Sequence, residues 1–111
     1  MSMLPAEQTV VTPTLDEDQM SRLAGMFRLM GDPTRLRIIL ACQGEPTPVG
    51  EIARRLHLSP SLVSHHLRLL RAARVLRARR QGKQMLYAAA DDHIRCVIAD
   101  MLEHVTEPHS E

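Results

Sequence analysis

Residues 49–76 read VGEIARRLHLSPSLVSHHLRLLRAARVL, and the fold turns on how this stretch divides. Thr47 and Pro48, just ahead of it, form a cap-plus-proline start for a short helix with Ile52, Ala53 and Leu56 on one side. The residues HLS at 57–59 turn the chain, and Ser59-Pro60 opens a longer helix that runs to about Ala73. Leu62, Val63, Leu67 and Leu70 recur at helical spacing and seat this second helix on a core. Its opposite side then presents Ser61, Ser64, His65, Arg68 and Arg71. A short helix, a tight turn and a longer helix with a polar, basic outer face make a helix–turn–helix unit.

On the N-terminal side, residues 1–13 have no periodicity and read as a flexible arm. Thr14 with Glu17 has the pattern of a capping box, opening a helix whose Met20, Leu23, Phe27 and Met30 recur at steps of three and four. Gly31 ends it. Asp32 caps a second helix with Pro33 in its first turn and Leu36, Ile39 and Leu40 facing inward. On the C-terminal side, VLRARR and KQMLYA flank Gln81-Gly82, a hairpin signal with basic arms. Asp91 or Asp92 then caps a last helix to about Glu107, and residues 108–111 are a short tail. The expected architecture is mostly α with a small β-hairpin, a winged helix-turn-helix domain over residues 14–107 with an extra helix at each end.

Composition agrees with one small domain. Hydrophobic residues make up 44% of the 111 and aromatics 2%, so aliphatic side chains must fill the core. The net charge is only +1, yet Ile52 to Ala90 holds nine Arg/Lys and no acid, while the other residues carry five Arg/Lys against thirteen acids. A basic block of this kind suits a polyanion, here double-stranded DNA. Hydroxyls and imidazole at Ser59, Ser61, Ser64 and His65 reach base edges or phosphates, and Arg68 and Arg71 reach guanine or phosphate. Arg77, Arg79, Arg80, Lys83 and Gln84 on the hairpin suit the backbone or the minor groove. With no basic-then-apolar leader and no long apolar run, the expected location is cytoplasmic, and Cys42 and Cys96 form no disulfide framework.

The segments GDPTRLRIIL, EIARRLHLSPSLVSHHLRLLRAARVL and RRQGKQMLY together resemble the ArsR/SmtB family of bacterial metal-responsive repressors. The resemblance covers roughly Met20 to Glu107. It implies a homodimer, joined through its N- and C-terminal helices, that represses an operator. An inducer then releases it to express metal efflux or resistance genes.

The last helix carries two histidines, His93 and His104, eleven positions apart. They share a face but lie about 16 Å from one another, too far for one ion to bridge. Two copies of the helix packed antiparallel about a two-fold axis bring His93 of one chain to His104 of the other. Asp91 and Glu107 complete two equivalent N2O2 sites suited to Zn(II), with Co(II) or Ni(II) as alternatives if His109 adds a ligand. The resemblance implies the same four, Asp91, His93, His104 and Glu107, as a helix-five sensor site. The chain departs from the family's thiolate sites: Pro48 stands at the loop cysteine position, and the cysteine pair of the third helix is missing.

Three rival readings remain. Cys42 and Cys96 fall in helices that some family members use for persulfide or oxidant sensing, which makes a thiol-redox repressor the alternative. A zinc hydrolase needs an open ligand position and a catalytic motif such as H-E-x-x-H, which the chain lacks, so no enzyme is expected. A purely architectural DNA binder needs no effector at all.

Overall fold

A computed structural model of the chain describes residues 13–108. The expected arm, residues 1–13, and tail, residues 108–111, lie outside them except for Pro13 and Pro108, and His109 lies outside as well. The elements follow in the order α1 (Glu17–Met30), α2 (Pro33–Ala41), β1 (Thr47–Pro48), α3 (Val49–Leu56), α4 (Pro60–Ala72), β2 (Leu76–Gln81), β3 (Gln84–Ala89) and α5 (Asp92–Thr106). This is the winged helix-turn-helix order: α3 and α4 are the helix–turn–helix, and β2–β3 the wing.

Local chemistry sets most boundaries. Asp32, Ser59 and Asp91 each accept a hydrogen bond from the backbone N–H three residues on, capping α2, α4 and α5. The capping box of α1 belongs to Asp16 and Gln19, not to Thr14 and Glu17, because Asp16 and Gln19 exchange both bonds, at 2.7 and 3.0 Å. Both helices of the helix–turn–helix unit end on a non-glycine residue in the left-handed region, His57 at φ 58° and Arg74 at φ 63°. In each case the next N–H reaches back across the last turn, Leu58 to the Ala53 carbonyl at 3.0 Å and Val75 to the Leu70 carbonyl at 2.9 Å.

Thr47 and Pro48 correct another expectation. Thr47 does not cap α3: Pro48 stands at the N-cap position, no side chain bonds the first turn, and the two residues form β1, with Thr47 opposite Tyr87 and Pro48 opposite Leu86. Thr47 is buried, and its hydroxyl donates to the Glu45 carbonyl at 2.8 Å. The hairpin therefore grows into a three-stranded antiparallel sheet ordered β1-β3-β2. Its turn is Gly82-Lys83, not Gln81-Gly82, because Gln81 pairs with Gln84. Gly82 takes the positive φ of 63° that such a two-residue turn requires.

The core is aliphatic and central. Ile38, Ile39 and Cys42 from α2 meet Ile52 and Ala53 from α3, Val63, Leu67 and Leu70 from α4, Val75 and Leu76 at the start of the wing, and Ile98 from α5. Leu36 and Leu62, expected inside, stand exposed; Ile38 takes the inward place on α2 that the sequence pattern assigned to Leu36. Replacing Leu67 by Ala should cost about 2–5 kcal/mol in urea unfolding, whereas Leu62→Ala should stay under about 1 kcal/mol. Equal losses at the two positions count against this seating of α4.

The two cysteines occupy opposite environments. Cys42 is wholly buried, while Cys96 is exposed on α5. Burial pushes the Cys42 thiol from 9.0 up to about 12, with Arg55 opposing weakly. The folded chain therefore holds that proton more tightly than the unfolded chain. The associated stability is present below pH 9.0 and lost as pH rises toward 12. At about pH 8, iodoacetamide should alkylate Cys96 rapidly and Cys42 only after denaturation. Comparable rates at the two thiols contradict this placement.

Candidate nucleic-acid interface and metal centre

Seating α4 on Val63, Leu67 and Leu70 leaves Ser61, His65, Arg68 and Arg71 exposed on its outward side, with Ser64 half-buried at the edge. Ser59 sits at the N-terminus of the same helix. Its Oγ accepts from the Leu62 N–H at 3.2 Å and lies 3.5 Å from the Ser61 hydroxyl. The cap leaves the hydroxyl hydrogen free to donate, so capping and phosphate contact are compatible.

On the wing the period-two alternation divides the basic residues between two faces. Arg77 and Arg79 share one face and Arg80 lies on the other, near the tip with Lys83 and Gln84. Arg77 is also tied down: its Nε–H donates to the Ala89 carbonyl across the sheet at 3.2 Å. Among the described residues, Arg79, Arg80 and Lys83 have no such side-chain bond and stand exposed.

Glu51, one residue before the acid-free stretch, bonds to both Arg54 and Arg55. Those two guanidinium groups hold its carboxyl below the ordinary carboxylate range. Two of the nine cations thus share one carboxylate within α3, which offsets one positive charge. Among the described residues, Arg68, Arg71, Arg74, Arg77, Arg79, Arg80 and Lys83 have no carboxylate within 4.0 Å. Sequence reading missed Arg35, whose Nε–H donates to Nδ1 of His66 at 3.2 Å. No local signal marks the contact, since the D-P-T-R run reads as a helix start and as part of the family resemblance.

The four proposed metal ligands lie at the two ends of α5. Asp91 caps the helix through Oδ1, and its other oxygen is 3.7 Å from Nδ1 of His93, whose ring is almost fully exposed. The Ile94 N–H, and behind it the His93 ring, hold the Asp91 carboxyl below its usual range. At the far end His104 and Glu107 are exposed, with Glu107 as the C-cap in extended conformation. Among the described residues of a single chain, no three His, Cys, Asp or Glu come together to hold a metal. Each end of α5 supplies one imidazole and one carboxylate, half of a four-coordinate set.

Beside these donors lies uncovered apolar surface. Val97, Met101, Leu102 and Val105 on α5, and Met20, Leu23 and Phe27 on α1, are all exposed, Phe27 by 60% and Val105 by 74%. Ile98, by contrast, is buried in the chain's own core, and Ile94 packs against it. An open cleft of about 780 Å3 between α1, the end of α4 and the start of α5 is lined by Met26, Leu29 and Ile94, with Arg22 and Arg74 beside Asp91 and His93. Among the described residues, no helix is long and apolar enough to cross a membrane.

Known proteins resemble this chain in sequence and fold. Residues 32–78 match the model of the bacterial regulatory protein, arsR family. A transcriptional repressor SmtB homolog of Synechocystis sp. is 34% identical over 90 residues, spanning 81% of this chain and 68% of the relative. The cadmium metal-sensor CMTR of Mycobacterium tuberculosis, solved by NMR, superposes with a TM-score of 0.65 at 33% identity, covering 80% of this chain and 97% of that one. A homodimeric winged helix-turn-helix DNA-binding domain of Mycobacterium bovis gives a TM-score of 0.74 at 21% identity, covering 83% and 89%, a likeness of fold alone. By sequence, by the order of its elements and by the seating of its second helix–turn–helix element, the chain belongs to the ArsR family, whose members are regulators and not enzymes.

Proposed function

We propose that this protein is a cytoplasmic transcriptional repressor that grips its operator as a metal-free homodimer and is released by a divalent metal, Zn(II) in the first place. The observation that carries the DNA reading is the outward face of α4, which bears Ser61, His65, Arg68 and Arg71 without a carboxylate partner among the described residues. Two such helices related by a two-fold axis enter successive major grooves, and the wing tips follow the backbone. The exposed apolar residues of α1 and α5 supply the surface that a second copy covers. The homodimeric M. bovis domain supports this reading by analogy of fold.

The metal reading rests on the pairing of donors at each end of α5. Asp91 and His93 of one subunit, with His104 of the partner subunit and Glu107 of the partner subunit, complete a closed N2O2 set. Two imidazoles and two carboxylates in a tetrahedron suit Zn(II) over a thiophilic ion, with Co(II) or Ni(II) next. The M. tuberculosis cadmium sensor, similar over most of its length, supports metal responsiveness but does not choose the metal. Bound across the seam, the cation ties the subunits into one relative orientation. Release of DNA requires that this orientation fit the operator less well, and by linkage DNA weakens metal binding by the same factor, about 1–3 kcal/mol.

The thiol-redox alternative has no geometric support. The Cys42 thiol is wholly buried and proton-bound, while Cys96 faces outward on α5.

Two measurements test the proposal. With a labelled duplex enriched from a random-sequence pool by the wild-type protein, Arg68→Ala should weaken binding about tenfold and relax specificity. Arg79→Ala should weaken selected and random duplexes alike and lower the salt slope by about 1. An Arg68→Ala variant that binds the selected duplex with wild-type affinity removes α4 as the reader.

For the metal, zinc should lower wild-type DNA affinity about tenfold or more, and His93→Gln and His104→Gln should each abolish that response while leaving metal-free binding intact. Mixed dimers of the two variants should regain one whole site and part of the response, because one seam then holds both wild-type histidines. Failure of the mixture to recover any response counts against ligands shared between subunits.

A further inference from the structure

Arg35, on the first turn of α2, reaches across to α4. Its Nε–H donates to Nδ1 of His66 at 3.2 Å, joining residues 31 apart in the chain through a partly buried contact. Arg35 is itself anchored, for its backbone N–H donates to Oδ2 of the α2 cap Asp32 at 3.0 Å. His66 lies against its neighbour His65 edge to face, with ring centroids 5.5 Å apart and planes at 61°. Only His65 of these four stands fully on the outward face of α4.

The chemistry of the contact fixes a ring. An imidazole nitrogen that accepts a hydrogen bond carries no proton, so His66 is neutral with its hydrogen on Nε2. Burial above all, then the nearby Arg35 and His65, keep His66 below the ordinary imidazole range, with Asp32 opposing. A guanidinium is planar and rigid, and through Nε it sets the plane of the ring it holds. Edge-to-face packing then restricts the rotamers open to the adjacent ring. The fold does not need this bond, since α2 and α4 already meet through Ile38, Ile39, Val63, Leu67 and Leu70.

We infer that Arg35 and His66 are positioning residues of the reading helix: Arg35 pins the His66 ring, and His66 sets the orientation in which His65 is presented to the bases. The inference rests on the DNA reading proposed above and adds to it two side chains that lie off the outward face. An exposed imidazole at the end of a free side chain discriminates poorly, because its ring nitrogens sweep over several acceptors. A ring held from behind presents its donor in one direction, which is what direct readout of a base edge demands.

The test measures the ratio of affinities for the enriched duplex and for a random duplex, at one fixed salt concentration. Arg35→Met and His66→Phe (which keeps a ring against His65 but offers no acceptor) should each lower that ratio about fivefold. Their urea midpoints should stay close to that of the wild type. In a His65→Ala background, Arg35→Met should have no further effect, since Arg35 acts through His65; a purely structural role for Arg35 predicts additivity instead. Long-range 1H–15N correlation spectra of the free protein should show the His66 proton on Nε2, and its loss of preference in Arg35→Met. An unchanged ratio in Arg35→Met, full additivity with His65→Ala, or a proton on Nδ1 of His66 overturns the inference while leaving the DNA reading in place. If the wild-type protein enriches no duplex at all, the DNA reading fails first and takes this inference with it.

Discussion

Val63, Leu67 and Leu70 decide which way α4 faces. They fall on one side of the helix, all three are wholly buried, and the burial of three aliphatic side chains contributes several kcal/mol. A rotation of α4 by one residue, about 100°, would expose them and drive polar side chains inward. Everything proposed about DNA follows from that orientation. The polar and basic residues are outward because the aliphatic ones cannot be.

The same shortage of space explains α1 and α5. A chain of 111 residues cannot enclose all the apolar surface it carries, and the core is already complete with the central helices, the start of the wing and Ile98. What is left over, at Met20, Leu23, Phe27, Met101, Leu102 and Val105, is apolar surface that a partner can cover. Under the proposed function the metal donors line the edge of that surface. Assembly and sensing then draw on one helix, which is economical for a small domain.

Much of this was legible in the sequence wherever the cause was local. Asp32, Ser59 and Asp91 announce their helices because a cap acts within three residues. The acid-free stretch announced an anion-binding face because charge needs no fold to be counted. The misreadings share a different origin. Thr47-Pro48 has the look of a helix start, and only the arrival of Tyr87 and Leu86 from forty residues away makes it a strand. Leu36 and Leu62 lie at the edge of the expected stripes, where a small rotation of the helix decides between core and solvent. His57 and Arg74 end their helices in the left-handed region without the glycine that usually marks such a cap, held there by the turns that follow. The Arg35–His66 contact joins two motifs that sequence reading treated separately, because nothing in either one points to the other.

The placement of α2 bears on how a signal at α5 reaches α4. At its C-terminal end Gln43 donates through Nε2 to the Arg95 carbonyl at 2.6 Å, and the Arg95 Nε–H returns a bond to the Gln43 carbonyl at 3.4 Å. Near its N-terminal end Arg35 holds His66. The helix between carries Ile38, Ile39 and Cys42 into the core that both α4 and α5 share. A close-packed core transmits displacement because it has no free volume to absorb it. Under the proposed function, a change in the angle of α5 would act on α4 by two routes, through Ile98 into the core or through Arg95 into α2. Arg95 lies only two residues beyond His93, so the second route begins beside the proposed metal donors.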